Sequence, residues 1–356
     1  MSRSRLASLR ALLKTEELDA LLLSSLPAIR YLTGFSGSYG FCVITRRTGW
    51  LITDSRYAEQ SRAEVRGVRV LITSETIPRA IAHQFLLRGC RTAGFEADEM
   101  PVALYRSLRR ALPGISLRPT AGLTELLTVS KDAKEVALIA RAAKITERVL
   151  GEVLPMIRPG VREREIAAEI VYRHRLHGGG DSFEPIVASG PRSALPHAGT
   201  TGRRFRNGDL IILDLGCSVE GYHSDLSRTV AVGRASRRAR QLHAVVLEAL
   251  EAAGSAARPG ISARELDGVA RRIITGAGHG KAFLHSLGHG LGLRIHERPR
   301  ISPLSGDLLR PGNVIALEPG IYYPGWGGIR IEDDYHLTAR GARPLTHSSR
   351  ELIICS

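Results

Sequence analysis

What the sequence lacks narrows the field first. No apolar run reaches the roughly 18 residues that cross a bilayer; the nearest stretch, Leu18 to Leu26, is short and broken by Asp19. No membrane partner is therefore expected. The four cysteines, Cys42, Cys90, Cys217 and Cys355, are far apart and form no CxxC pair. That argues against a thiolate zinc knuckle and against a disulfide framework, and fits reduced thiols in a cytoplasmic protein. The opening Met1-Ser-Arg-Ser-Arg-Leu6 has the look of a transit peptide, but Glu16, Glu17 and Asp19 follow, and such peptides are poor in acids. Leu6, Leu9, Leu12 and Leu13 instead mark one face of a first helix. Acids are also in deficit overall, 35 against 50 bases, for a net charge of +15. Such a balance would suit nucleic acid. The arginines are scattered, however, in pairs such as Arg203-Arg204, Arg237-Arg238 and Arg271-Arg272, without aromatic interleaving or a binding motif. No nucleic-acid partner is expected.

What is present points to two ordinary domains. At 356 residues, 43% apolar and 24% charged, the chain is globular and too long for one small core. The first 125 or so residues alternate helical and strand patterns: helix over Arg5 to Leu18, strands over 20–24, 40–45 and 50–53, helix over 57–65, strand over 68–72. That alternation predicts an α/β layer structure. Near Thr128-Val-Ser130 the pattern breaks, and a long helix follows with Ser130 as a plausible N-cap and Asp132 in its first turn. The predicted domains are residues 1–128 and 129–356.

The second domain contains a duplication. Arg206-Asn-Gly-Asp-Leu-Ile-Ile-Leu-Asp214-Leu-Gly216 aligns with Arg310-Pro-Gly-Asn-Val-Ile-Ala-Leu-Glu318-Pro-Gly320, and Arg158-Pro-Gly-Val with Arg258-Pro-Gly-Ile. Two copies this long are no solenoid. They predict two similar α+β halves facing one cleft, each giving a strand that ends in a carboxylate, Asp214 or Glu318.

Those carboxylates carry the chemistry. Asp214 closes an apolar strand, where ionisable groups are uncommon unless paired or metal-bound. The stretch Val219-Glu-Gly-Tyr222 reads as a hairpin turn that returns Asp225 beside Asp214. Adjacent carboxylates repel unless they share a proton or a cation, so alone this pair could equally be a structural polar turn. Glu318 from the repeat, and Glu332 on the next predicted strand, raise the count to four acids. Such a cluster needs about two divalent cations to offset it. His289, in Gly-His289-Gly-Leu-Gly, is the candidate fifth ligand, and the glycines at 288, 290 and 292 allow close backbone approach. Four hard oxygens and one imidazole favour manganese or cobalt, with zinc or iron possible.

The assembled pattern, Asp214-Leu-Gly, Gly-Tyr-His-Ser-Asp225-Leu-Ser-Arg-Thr, Gly-His289-Gly-Leu-Gly-Leu-Arg-Ile-His296-Glu, Glu318-Pro-Gly and Arg330-Ile-Glu332-Asp, resembles the aminopeptidase P and prolidase metallopeptidases. The stretches Tyr31-Leu-Thr-Gly-Phe-Ser-Gly-Ser and Leu-Ile-Thr-Asp54-Ser-Arg-Tyr look like a creatinase-type N-terminal domain, so the resemblance spans nearly the whole chain. It implies a creatinase-like α/β domain followed by a pita-bread catalytic domain of two pseudo-symmetric halves. Two divalent metals, most readily Mn2+ and otherwise Co2+ or Zn2+, would sit between those halves. Asp214 would bind one, His289 and Glu318 the other, and Asp225 and Glu332 would bridge them.

By the same resemblance the activity is Xaa-Pro aminopeptidase, cutting before a penultimate proline in short proline-containing peptides. Xaa-Pro dipeptidase is the alternative, and a non-catalytic binding protein on this fold is a more distant one, disfavoured because every ligand position is filled. The family match assigns catalytic roles to His197, His296 and Glu318 and places His285, Tyr322 and Arg330 against substrate, with a structural role the alternative for His285 and holding the Glu332 carboxylate in place the alternative for Arg330; His223, His243 and His279 are read as structural. A homodimer is implied as well.

Overall fold

The computed structural model describes residues 2–356, with side chains described from residue 4 onward. It comprises two compact units, Met1–Thr128 and Val129–Ser356.

The first unit is a mixed sheet flanked by helices. Its strands are β1 (Ala20–Leu23), β2 (Phe41–Thr45), β3 (Gly49–Thr53), β4 (Arg69–Ile72), β5 (Thr92–Glu96) and β6 (Ser116–Thr120), in spatial order β4-β3-β2-β1-β5-β6. The pairs β3–β4, β1–β5 and β5–β6 are parallel, which requires helical crossovers. Helix α3 (Ala58–Glu64) links β3 to β4 and α5 (Val102–Ala111) links β5 to β6, while α2 (Leu26–Thr33) and α4 (Ile77–His83) lie on the path from β1 to β5. Helix α1 (Ser2–Thr15) precedes β1, and a short α6 (Glu125–Thr128) closes the unit. The first helix stops at Thr15, earlier than its apolar pattern suggests, because Glu17 takes a left-handed φ of 55°. Central strands β1 and β2 are buried along their full length, as expected for a sheet covered on both faces.

The second unit repeats one plan twice. Its first half holds α7 (Ala133–Val153), α8 (Glu163–Leu176), β7 (Gly180–Asp181), β8 (Ile186–Ser189), β9 (Leu210–Leu215), β10 (Cys217–Val219), β11 (Tyr222–His223) and β12 (Leu226–Val232). The second half holds α9 (Arg237–Ala256), α10 (Ala263–Gly276), β13 (Gly288–Gly290), β14 (Glu297–Ile301), β15 (Val314–Leu317), β16 (Gly320–Tyr323), β17 (Gly327–Arg330), β18 (Asp333–Thr338) and β19 (Gly341–Pro344); β20 (Ile353–Cys355) returns to the first sheet. The two main sheets run β20-β12-β9-β8 and β14-β13-β15-β18-β19. Helices α8 and α10 lie at equivalent places, as do β9 and β15, and even the isolated bridges Arg162–Arg204 and Ser262–Leu308 correspond. The duplication read from sequence is thus a duplication of structure.

One predicted boundary moves. The cap of α7 is Asp132 rather than Ser130: its carboxylate accepts from Lys134 N at 2.9 Å and Glu135 N at 3.0 Å, while Glu135 accepts from Asp132 N at 2.9 Å. The cause is that Lys131 N is already engaged by Gly312 O at 2.7 Å, which keeps the chain extended until Asp132.

Candidate metal centre

All five predicted ligands converge within the second unit. Asp214 is the penultimate residue of β9 and pairs across the ladder with Ser227 on β12; Asp225 immediately precedes β12. The hairpin β10–β11 is the return that brings Asp225 back to Asp214. From the second half come His289 in β13, Glu318 directly after β15, and Glu332 in the short passage between β17 and β18. Glu318 thus closes its strand much as read from sequence, whereas Glu332 sits at a strand junction rather than on a strand. Each backbone is still held, Glu318 N donating to Leu287 O at 2.8 Å and Glu332 N to Ser227 O at 3.1 Å.

Distances define the cluster. One ring nitrogen of His289 and one oxygen each of Asp225 and Glu332 lie within 4.8 Å of one another. His289 Nε2 is 3.7 Å from Asp225 Oδ2 and 3.9 Å from Glu318 Oε1, too long for hydrogen bonds and spacings that an intervening cation would bridge. His289 Nδ1 donates to Gly290 O at 3.1 Å, which leaves Nε2 as the lone-pair nitrogen facing the acids. Glycine is needed on either side of that histidine. A Cβ on Gly288 would sit 1.9 Å from Ala316 O, and one on Gly290 would sit 2.2 Å from Arg298 O.

The donor set fits divalent cations. Asp214 Oδ1, Asp225 Oδ1 and Glu332 Oε1 are buried and have no hydrogen-bond partner among the described residues. A bare buried acceptor costs about 1–3 kcal/mol, more when charged. Burial pushes Asp225 and Glu332 well above the usual carboxylate range, and neighbouring acids push further. Burial likewise raises Glu318 to about 8, while Asp214 is raised by burial and drawn back by Arg330. Without a counter-charge the cluster holds protons; divalent cations would replace them.

Arg330 organises one side of the cluster. Its Nη2 donates to Asp214 Oδ2 at 2.6 Å, its Nε to Ser227 Oγ at 2.9 Å, and its Nη1 to Pro196 O at 3.0 Å and Tyr322 Oη at 3.1 Å. Ser227 in turn donates to Glu332 Oε2 at 2.7 Å. Tyr322 passes a hydrogen bond to His285 Nε2 at 2.8 Å, since His285 Nδ1 donates to Ser286 O at 2.8 Å. Burial fixes these protonation states: it holds Tyr322 up at about 12 and pulls His285 down to about 4. Neutral phenol and neutral imidazole thus form a directional chain.

The two remaining predicted histidines are exposed and border the cluster. The His296 ring stands edge-on to His289 at 4.3 Å between centroids, and His197 lies close enough to influence Asp214, His285 and His296 electrostatically. Although the residue is exposed, desolvation of the ring where it packs on His289, followed by His197, lowers the His296 imidazole and favours its uncharged form.

Sequence reading missed several supporting groups. Ser227 joins Arg330 to Glu332. Asp334 accepts from Asp225 N at 3.0 Å. The buried pair Lys131–Glu297, at 2.8 Å, anchors the segment carrying His296. Ser227 is the cross-strand partner of Asp214, so the register of the β9–β12 hairpin was the signal that could have found it.

Two domain families match the chain: Metallopeptidase family M24 over residues 137–339 and the Creatinase/Prolidase N-terminal domain over residues 5–127. The chain is 35% identical to an Xaa-Pro dipeptidase of Pyrococcus horikoshii, over 94% of this chain and 95% of that one. Among solved structures it resembles an Xaa-Pro dipeptidase from Bacillus anthracis, with TM-score 0.96 and 37% identity over 99% of this chain and 100% of that one. It also resembles an X-Pro aminopeptidase from Thermotoga maritima MSB8, with TM-score 0.89 and 35% identity over 95% of this chain and 98% of that one.

Proposed function

This chain belongs to metallopeptidase family M24 and carries a Creatinase/Prolidase N-terminal domain, and from that premise we propose that it hydrolyses Xaa-Pro dipeptides. It is a metal-dependent peptidase. The observation that carries the reading is the set of buried carboxylate oxygens on Asp214, Asp225 and Glu332, beside His289 and Glu318, that have no hydrogen-bond partner among the described residues. Asp214 would hold one divalent cation, His289 and Glu318 a second, with Asp225 and Glu332 shared between them; manganese suits such hard, mostly oxygen donors.

When bound, two such ions supply Lewis acidity that polarises the scissile carbonyl and acidifies a water. The protein's own groups do the rest. Arg330 favours the ionised form of Asp214 against the effect of burial and fixes its second oxygen. His197 and His296, which border the cluster, would donate N–H groups to negative charge developing on the carbonyl oxygen. Glu318, which would hold a metal through one oxygen and keep the other spare, is suited to carry a proton to the leaving nitrogen. That nitrogen belongs to proline and has no N–H of its own; like any amide nitrogen it must gain a proton to leave, and it does so as a secondary amine.

Dipeptide and longer substrates share these steps. The dipeptidase relatives favour the dipeptide, the alternative in the sequence reading, whereas the Thermotoga aminopeptidase structure keeps longer peptides as the second reading. Metal-depleted protein reloaded separately with Mn2+, Co2+ or Zn2+ should cleave Ala-Pro and leave Ala-Ala-Ala intact. Cleavage of Ala-Pro-Ala at the Ala–Pro bond in preference to Ala-Pro would establish the aminopeptidase reading instead. No cleavage by metal-loaded protein would sink both. No helix among the described residues is long and apolar enough to cross a membrane. A cytoplasmic location and a homodimer complete the proposal, to be checked by cell fractionation and by sedimentation.

A further inference from the structure

The segment that carries His197 is held by a buried acid outside the metal cluster. Glu163, the first residue of α8, is 0% exposed. Its Oε1 accepts from Ser189 N at 2.9 Å and Ser189 Oγ at 2.7 Å. Its Oε2 accepts from Thr201 N at 3.0 Å, Thr201 Oγ1 at 2.5 Å and Arg192 Nε at 3.3 Å. Ser189 ends β8, and Thr201 lies just beyond His197, so one carboxylate ties together both ends of the 189–201 loop. The start of α8 adds two backbone bonds, Glu163 N to Arg203 O and Arg164 N to Thr201 O, each at 3.0 Å.

The middle of the same loop is gripped from the other half of the unit. Gly328 N donates to Ser193 Oγ at 2.8 Å, and a Cβ on Gly328 would stand 2.1 Å from Ser193 O. Arg330 holds Pro196 O with the same guanidinium that holds Asp214. His197 is therefore fixed between a tie at the loop's base and a link to a candidate metal ligand. A buried carboxylate is costly unless fully hydrogen-bonded; Glu163 meets five donors, and all of them belong to this loop.

We propose that Glu163 is a positioning residue for the peptidase reaction, acting through His197: it closes the 189–201 loop so that the imidazole faces the Asp214 side of the metal centre. The inference rests on the peptidase reading above. Glu163→Gln keeps the shape but leaves only one acceptor oxygen, and its amide N–H2 then opposes the backbone N–H of Ser189 or Thr201. One end of the loop is released.

The test is a double-mutant cycle of Glu163→Gln with His197→Ala on Ala-Pro, using metal-loaded protein of verified metal content. Because a displacement near 1 Å can cost about 100-fold, Glu163→Gln is expected to lower kcat by ~10- to 100-fold with metal content unchanged. In the His197→Ala background it should add almost nothing. Thr201→Val, which removes one hydroxyl donor and keeps the acid, should show a smaller loss with the same non-additivity and covers the case in which Glu163→Gln does not fold. Full additivity with His197→Ala, or an unchanged kcat, overturns the proposal. The histidine ring signals of the labelled protein give an activity-free readout: His197 should shift in Glu163→Gln while His243 does not. If the parent protein cleaves no Xaa-Pro peptide, the substrate reading fails on that result alone, and an unmoved His197 signal would separately refute the tie.

Discussion

At the scale of single residues, the chemistry depends on Arg330 as much as on the acids it serves. Four acceptors, on Asp214, Ser227, Pro196 and Tyr322, share one buried guanidinium. A lysine would preserve the charge and lose the planar fork. Arg330→Lys should therefore weaken metal binding by about 10- to 100-fold, the usual cost of removing a partner that orients a ligand, and depress kcat/KM with it. Calorimetric titration with Mn2+ checks this; affinity equal to that of the parent protein would show that Asp214 needs no such support. The acids and His289 were legible in the sequence because carboxylates at the ends of apolar strands are anomalous and the repeat doubles the anomaly. Ser227, Asp334 and Glu163 were not, because a serine in a strand or a glutamate at a helix start is ordinary until its partners are known.

At the scale of elements, the helices carry titrations of their own. His243 on α9 is buried, and burial, with Arg228 nearby, pulls its imidazole down to about 4. A depressed pKa means the unfolded chain takes up the proton first as pH falls. Its contribution to stability is full above about 6.5, the unfolded value, and is lost as pH falls towards 4. His243→Met should accordingly lose less stability than the parent protein over that window, measured by urea unfolding at several pH values. Equal pH dependence in the two proteins would remove His243 from the account. The elements themselves were largely legible: strand pairs, the first helix and the paired halves all follow from apolar periodicity and the repeated Arg-Pro-Gly and strand motifs. What failed was local. The α7 cap moved to Asp132 because of a backbone bond to Gly312, and Glu332 left its strand at the β17–β18 junction; both are tertiary effects that no window of sequence contains.

At the scale of the whole molecule, the duplication makes function a property of both halves together. The first supplies Asp214 and Asp225, the second His289, Glu318 and Glu332, so neither half alone holds the five-donor set. The central claim is that this set binds two divalent ions and that peptide hydrolysis follows from their binding. Metal-depleted protein titrated with Mn2+ at neutral pH, following bound metal, proton release and Ala-Pro hydrolysis in one series, tests it most directly. Binding should saturate near two ions per chain, as the acid count requires. Protons should be released, because burial raises Asp225, Glu318 and Glu332 in the free cluster. Hydrolysis should appear only as the sites fill. Hydrolysis in the absence of metal, or full loading without hydrolysis, would contradict the account.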